Sequence, residues 1–257
     1  MPWTALATGG FIALFFVLGL AFPRVRPAFS ARDTLTNLVT GGAMYGVRVL
    51  VLIGIAGPLA ALEGGLIDLS ALASPALQAL VVFLLLDLSR YWVHRADHRV
   101  SWLWTFHRVH HSAEHLDATT GLRMHVVDIL QLTAIPVVLF SVIFDISAFD
   151  PRVLPGVLMI GAAFDAFEHA NLRVDISRPL PRAWNMVLNN PHFHSWHHTR
   201  DGVKKDGNYG QTLTIWDRLF GSCVTEPLPP AELGLEPAQA LVIDPLSLQL
   251  LRRRGDP

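Results

Sequence analysis

Charge is scarce in this chain. Of its 257 residues, 16% are Asp, Glu, Lys or Arg, 51% are hydrophobic, and mean hydropathy is +0.39. A soluble domain carries about a quarter charged residues, so the composition favours one membrane-embedded unit. The formal net charge is -1, lysine is rare and no long basic stripe occurs, which argues against a nucleic-acid partner. There is one cysteine, Cys223. It cannot form an intrachain disulfide or build a thiolate metal site alone, and reads as a small buried residue. A secretory signal opens with a positive n-region. No Lys or Arg precedes the first apolar run; Arg24 and Arg26 follow it, without a convincing small-x-small cleavage site. This stretch is therefore read as a retained membrane helix. GxGxxG, CxxCH and HExxH are all absent, which removes a nicotinamide, flavin or haem signature and the common zinc-hydrolase motif.

What the chain does have is long apolar runs. A spanning helix needs about 20 mostly apolar residues. Leu6 to Phe22, Leu38 to Leu62 (interrupted by Arg48), Leu77 to Val93 and Val126 to Phe144 meet or approach that length, and Val153 to Phe167 is a shorter fifth. Arg24, Arg26 and Arg32 follow the first run, Glu63 and Asp68 follow the second, and Arg90, Arg95 and Arg99 close the third. By the positive-inside rule the end of the third run is cytoplasmic, and so is the chain from about His169 to Arg252, Arg253 and Arg254. The stretch Asp145 to Arg152 reads as a short turn on the far side or a re-entrant hairpin. Arg48 fits least well: it snorkels, pairs with Asp87, or lies nearer an interface. The expected fold is all-α: a polytopic bundle of four to five membrane helices with a cytoplasmic helical cap. Its organisation is read as membrane helices over 1–76, a histidine-bearing region over 77–226 and a proline-rich tail over 227–257, with a loop and a short surface helix.

The 12 histidines are not scattered. "HRADH" places His94 and His98 four apart, on one face of a helix. "HRVHHS" supplies His107, His110 and His111, and "HFHSWHH" repeats their offsets with His194, His197 and His198. At about 100° per residue, such a triplet falls in an arc of about 100°, so each group can aim several ring nitrogens at one point. Neutral imidazole is a ligand for iron, copper and zinc. Eight imidazoles exceed the four ligands of a tetrahedral zinc and suit two ions of higher coordination number. His115 and His192 are spare, read as polar or loop residues.

"DLSRYWVHRADH", "LWTFHRVHHSAEHLDATTGLRMH" and "NNPHFHSWHHTRDGVKKDGNYGQTLTIWDRLFG" together resemble the fatty acid hydroxylase/sterol desaturase superfamily of integral membrane di-iron oxygenases, over about Asp87 to Gly221. The resemblance implies that the three boxes are metal ligands, with His169 in "FEHANLR" as a ninth. His125 matches a histidine often followed by proline, where Val126 stands here; it reads as a ligand or as a residue supporting the ligands or contacting headgroups. Asp165 stands where some members have a further histidine, and reads as an oxygen ligand or an acceptor behind one. Asp87, two turns before His94, and Asn171, with Glu114, Asp128 and Asp201, are candidates to hold the outward ring nitrogens or are solvated rim groups. Tyr91, Trp92, Trp102 and Trp104 suit an interfacial aromatic belt or the wall of a substrate passage.

The function so implied is hydroxylation of a C–H bond of a lipid-like substrate (fatty acyl, sterol or related) by two iron ions and O2. Electrons would come from a separate ferredoxin or reductase. Desaturation shares the first hydrogen abstraction and stays an alternative. So does a metal-binding membrane protein without turnover, such as a zinc sensor or transporter component.

Overall fold

The computed structural model describes residues 2–60 and 64–255. The chain folds as a polytopic helix bundle with a helical cap. Among the described residues, four helices are long and apolar enough to cross a bilayer. These are α1 (Pro2–Ala21), α2 (Ala31–Ala60), α3 (Pro75–Arg99) and α5 (Val126–Val138), which runs on through a widened turn, Leu139–Ile143. The shorter α6 (Val153–His169) packs against α1 and α3. The cap adds α4 (Ser101–His107), α7 (Pro179–Asn185), α8 (Pro191–His197), α9 (Ile215–Leu219) and α10 (Pro245–Gln249). The expected limit of the second run, Leu62, and the acidic Glu63 lie outside the described residues.

Local chemistry sets most of these boundaries. Pro75 and Pro191 each occupy the first turn of a helix, where a missing N–H costs nothing. Asn190 caps α8, its Oδ1 accepting from the His192 and Phe193 amides at 2.9 and 3.1 Å. Asp244 caps α10 through the Ser247 amide at 2.9 Å. The widened turn at the end of α5 follows Pro136 within the helix, which removes one rung of the hydrogen-bond ladder.

The membrane helices bury little of their apolar surface. Leu6 and Val17 on α1 and Leu50 and Ile53 on α2 are exposed, as expected of faces meant for lipid. At the end of the bundle away from the histidines, Val82 and Leu86 pack with Phe140, Phe149, Val153 and Val157. There the two-residue strands β1 (Ile67–Asp68) and β2 (Phe144–Asp145) pair in parallel, linking the loop after α2 to the turn between α5 and α6.

The second helix starts a full two turns before the apolar run. Its polar opening is buried because it ties down the segment following the second histidine box. Thr34 Oγ1 donates to Asp117 Oδ2 at 2.6 Å, Asn37 Nδ2 to Thr119 Oγ1 at 2.9 Å, and the Arg123 guanidinium to both Asn37 Oδ1 and Asp33 Oδ1. Arg48 makes no ion pair with Asp87 among the described residues, because that carboxylate is already engaged: it accepts from the Thr212 and Leu213 amides at 3.2 Å and Trp216 Nε1 at 2.8 Å.

The segment after Pro227 closes over the cap. The Arg200 amide donates to Glu232 O at 3.0 Å, and the Gly234 amide to His198 O at 3.1 Å. Leu235, Leu241 and Leu248 enclose Val109.

Arg123 is wholly buried. Arg123→Met would leave Asp33 with only the exposed Arg32, at 3.8 Å. Breaking such a pair is expected to cost about 3 kcal/mol. It should appear as a lowered unfolding midpoint of the detergent-purified protein, partly restored in Arg123→Lys.

Candidate metal centre

Helix direction brings the histidines to one end. α3 and α6 finish there, with His94 and His98 on one and His169 on the other, and α5 begins there behind His125. Nine ring nitrogens then fall into two buried groups. His94, His98, His107, His111 and His197 form one, and His110, His169, His194 and His198 the other. Within each group the donor atoms lie within 4.8 Å of one another.

The boxes do not each form one point, as their spacing suggests. α4 ends at His107 and His110–Ser112 is a tighter 3-10 turn, so the second box sends His107 and His111 to one group and His110 to the other. The third box divides likewise, His197 against His194 and His198. Neighbouring residues on a helix point about 100° apart. The adjacent rings His110–His111 and His197–His198 both stand at 89°, with centroids 5.4 Å apart.

Within the groups, Nε2 atoms meet Nε2 atoms. The separations are 3.1 Å for His98–His111, 3.2 Å for His110–His169, 3.0 Å for His169–His194 and 3.1 Å for His194–His198. The Nε2 atoms of His94, His107 and His197 are buried without any partner. Facing lone pairs repel unless a cation or proton lies between them, and neighbouring donors around an ion at about 2.1 Å stand at such separations. The residues therefore fit a pair of metal ions.

Most of the outward nitrogens are held, as ligand imidazoles require, whereas Nδ1 of His194 and of His198 are buried without a hydrogen bond. Nδ1 of His94 meets Tyr209 O at 2.9 Å, that of His197 Gly207 O at 2.9 Å, and that of His110 Arg123 O at 3.3 Å. Nδ1 of His107 meets Asp128 Oδ1 at 3.1 Å, that of His169 Asp165 O at 2.7 Å, and that of His98 Asp206 Oδ1 at 3.4 Å. Glu168 Oε2 lies 3.7 Å from His194 Nδ1. The two carbonyls from Gly207 and Tyr209 flank Asn208, which sits in the left-handed region at φ 58°, a conformation Asn tolerates better than most residues. Asn208 fixes it through Phe193 O at 2.9 Å and the Val224 amide at 2.7 Å. Asp217 clamps the same loop, accepting from the Tyr209 and Gly210 amides at 2.8 Å.

Several sequence-derived candidates stand elsewhere. His125 lies outside both groups and caps α5. Its Nδ1 accepts from the Val127 amide at 3.2 Å and its Nε2 meets Gln249 O at 3.1 Å, leaving no nitrogen for an ion. His192 is bonded to Glu226 O at 2.7 Å and His115 to Ala28 O at 3.4 Å. Asp87 grips the turn before α9 instead of a ring. Asn171 ties the α1–α2 loop, receiving the Val25 amide and donating to Val25 O and Ala28 O at 3.0 to 3.1 Å. Asp165 supports His169 by its carbonyl, its carboxylate lying 3.7 Å from Nδ1. Glu114 binds Arg32 and Arg254, and Asp201 caps a local turn. Glu168 and Asp206 were not singled out in the sequence. The signal for Glu168 was a carboxylate inside an apolar helix. Of the aromatics, Tyr91 is buried against Ser222, and Trp104 lies against the rings of His98 and His111 with centroids at 5.0 and 5.3 Å. Trp92 and Trp102 face outward. Cys223 is half-buried and free.

Two adjoining buried histidine groups that could hold metal, at one end of a bundle of apolar helices, define a class of protein, and comparison with known sequences gives the family. The fatty acid hydroxylase family profile matches residues 79–222, and the chain belongs to that family. It is 34% identical to the alkylglycerol monooxygenase of Xenopus tropicalis over 150 residues, 57% of this chain and 30% of that protein. The human alkylglycerol monooxygenase is 32% identical over 146 residues, 56% of this chain and 30% of the relative. The ornithine lipid hydroxylase OlsE of Rhizobium tropici is 28% identical over 218 residues, 77% of this chain and 58% of that one. The chain thus spans about a third to three-fifths of these relatives. No solved structure matches it.

Burial, and then the neighbouring imidazoles, hold the pKa values of His110, His111, His194 and His198 well below the ordinary range. His107 moves the other way: burial opposes its charged form, yet Asp128 carries it above the usual value. The depressed rings stay neutral in the fold but charge in the unfolded chain below about pH 6.5. Their contribution is fully present above that pH and is lost as pH falls through the folded values. The unfolding midpoint of metal-free protein should therefore decline between pH 7 and 5 in a thermal scan. A flat profile would contradict the burial of neutral imidazoles.

Proposed function

We propose that this chain is an integral membrane di-iron oxygenase that hydroxylates a C–H bond of a lipid substrate. The observation that carries the reading is the convergence of nine Nε2-directed imidazoles from α3, α4, α6, α8 and the 110–112 turn into two adjoining buried groups. His94, His98, His107, His111 and His197 would hold one iron, and His110, His169, His194 and His198 the other. A donor set of imidazole without thiolate suits iron. Bound iron supplies the redox chemistry that attacks an unactivated C–H bond with O2, which side chains cannot supply.

The protein's own part is placement and insulation. Carbonyls and carboxylates on the Nδ1 side of His94, His98, His107, His110, His169 and His197 fix the tautomers of those rings, with Nε2 facing inward. Burial keeps bulk water from the site. The opening between α3, α5 and α6 aligns one carbon of the substrate with it, and alignment decides which bond reacts. The relatives named above are hydroxylases and monooxygenases, which supports hydroxylation over desaturation. The basic residues at the histidine end, Arg95, Arg99 and Arg252 to Arg254, support a cytoplasmic location for the site, where a separate ferredoxin or reductase would deliver electrons. In this reading residues 77–226 form the catalytic unit, carried by the membrane helices of 1–76 and closed by the 227–257 tail.

Single substitutions test it. His110→Ala and His197→Ala each remove a donor from a different group. Both should abolish incorporation of labelled oxygen into membrane lipid and lower the iron content measured by mass spectrometry, with membrane insertion intact. His192→Ala and His125→Ala should keep most of the iron. Retention of zinc in iron-replete cells with no change in lipid would overturn the oxygenase reading in favour of a non-catalytic metal protein.

A further inference from the structure

The cavity between α3, α5 and α6 meets only part of the histidine cluster. His94, His107, His110, His169 and His194 border it, and His98 and His111 do not. Those two rings are covered by Trp104. The indole centroid lies 5.0 Å from that of His98 and 5.3 Å from that of His111. Both histidines are buried, whereas the indole is half-buried. One aromatic ring therefore separates this side of the first histidine group from the surface of the cap. The ring is fixed in place: Nε1 donates to Gln239 Oε1 at 3.4 Å, and the indole packs against the leucine cluster of the tail.

Shielding alone could be done by any large apolar side chain. Trp104 is set apart by the charges around it. Lys205 Nζ stands 4.5 Å over the indole ring, in cation–π contact. Arg95 stands 5.5 Å over the exposed Trp92, and Arg99, one turn further along α3, is itself exposed. Arg95 donates to Tyr91 Oη at 2.8 Å and Phe220 O at 3.0 Å, and Arg99 to Asp206 O at 3.3 Å. These acceptors are neutral and leave the charge in place. The carboxylates on this side are engaged. Asp206 meets Lys205 at 3.0 Å and His98 Nδ1 at 3.4 Å, Glu226 meets Lys204 at 2.6 Å, and the exposed Glu236 of the tail lies against Gly202. The end of α3 and the 204–206 turn thus hold a surplus of positive charge beside the indole.

We infer that Trp104, with Arg95, Arg99 and Lys205, forms the docking surface for a small acidic one-electron carrier protein, and that electrons enter the first histidine group through the indole. Electron-transfer encounters are small and weak and are steered by charge, which suits a patch of a few cations around one ring. Electrons reach a buried centre where little protein separates it from the carrier, and here that layer is one side chain. No bond forms or breaks at Trp104. Each carrier is oxidised by one electron and the metal group held by His98 and His111 is reduced by one. Two such electrons and two protons, with O2, convert C–H to C–OH and release one water. The carrier meets the side of the cluster that the cavity leaves free, so both can be occupied at once. The inference rests on the oxygenase reading for its need of electrons and goes beyond it in naming the surface and the charge of the donor.

The test uses the metal-loaded full chain in detergent, an acidic 2Fe–2S ferredoxin as probe and a basic c-type cytochrome as control. Biolayer interferometry should show that the ferredoxin binds, that the cytochrome does not, and that rising salt weakens the complex. Arg99→Glu combined with Lys205→Glu should weaken it at least about tenfold. Arg182→Glu, an equal charge change at an exposed position of α7, should have little effect. Trp104→Leu should leave the affinity intact but slow the oxidation of pre-reduced ferredoxin in stopped flow at equal iron content, while dithionite reduces variant and wild type alike. Trp104→Phe should keep most of the wild-type rate. If the Trp104 variants do not hold iron, the surface reversals alone decide the matter. Absence of ferredoxin binding, equal effects at 99/205 and at 182, or an unchanged transfer rate in Trp104→Leu would overturn the inference. Oxygen incorporated into lipid without dependence on these residues would sink it and leave the oxygenase reading standing. Ferredoxin oxidation through Trp104 with no oxygen incorporated would support the docking surface and sink the oxygenase reading instead.

Discussion

Nine imidazoles crowd into one dry volume at least cost when most are neutral and their outward nitrogens meet acceptors, as six of them do here. Everything else in the cap answers that constraint. The carbonyls of Gly207 and Tyr209, the carbonyl of Arg123 and the carboxylates of Asp128 and Asp206 are brought from segments far apart in sequence to meet the Nδ1 side of individual rings. The left-handed Asn208 and the buried Asp217 serve to present the first two of these. The supports of these two acceptors have partners of their own, as low local dielectric demands. The centre is thus the inner layer of a hydrogen-bonded shell, and the shell is what makes the rings ligands in waiting and not merely buried polar groups.

The membrane helices were legible from run length and charge alone, because lipid imposes a simple requirement on both. α3 and α5 lie where their apolar runs fall. The early start of α2 was not legible. Asp33, Thr34 and Asn37 look like loop residues, but they are helical, Asp33 and Asn37 buried and Thr34 half-buried, and bond to partners more than eighty positions away. The same limit applies to Asp87. Its cost in an apolar helix announced that it needed a partner, but the partner, the 212–216 turn, comes from the far end of the chain.

At the site, residue spacing indicated that histidines would gather but not how they would be shared. In both the second and third boxes the pair four residues apart stays in one group and the remaining histidine goes to the other, a division that spacing alone does not assign to one ion or two. His125 shows the reverse case. Motif likeness drew it toward the metal, whereas its position directly before Val126 makes it a cap for α5, and local backbone donors claim its ring. Carbonyl acceptors such as Gly207 O carry no side-chain signature, so no reading of residue types could have found them.

The strap formed by residues 232–249 bears on how the protein is made. It binds the backbone of His198 through Gly234, and the entrance to α5 through Gln249. Both histidine groups also draw on the third box, which follows α1 to α6 in the chain. The histidines of α3 and α6 are therefore synthesised before the strap that covers them. Closing loops of this length is slow relative to local helix formation. During that interval the nascent chain is open to whichever cation arrives first, so the timing of ion delivery in the cell belongs to the assembly of this fold as much as its sequence does.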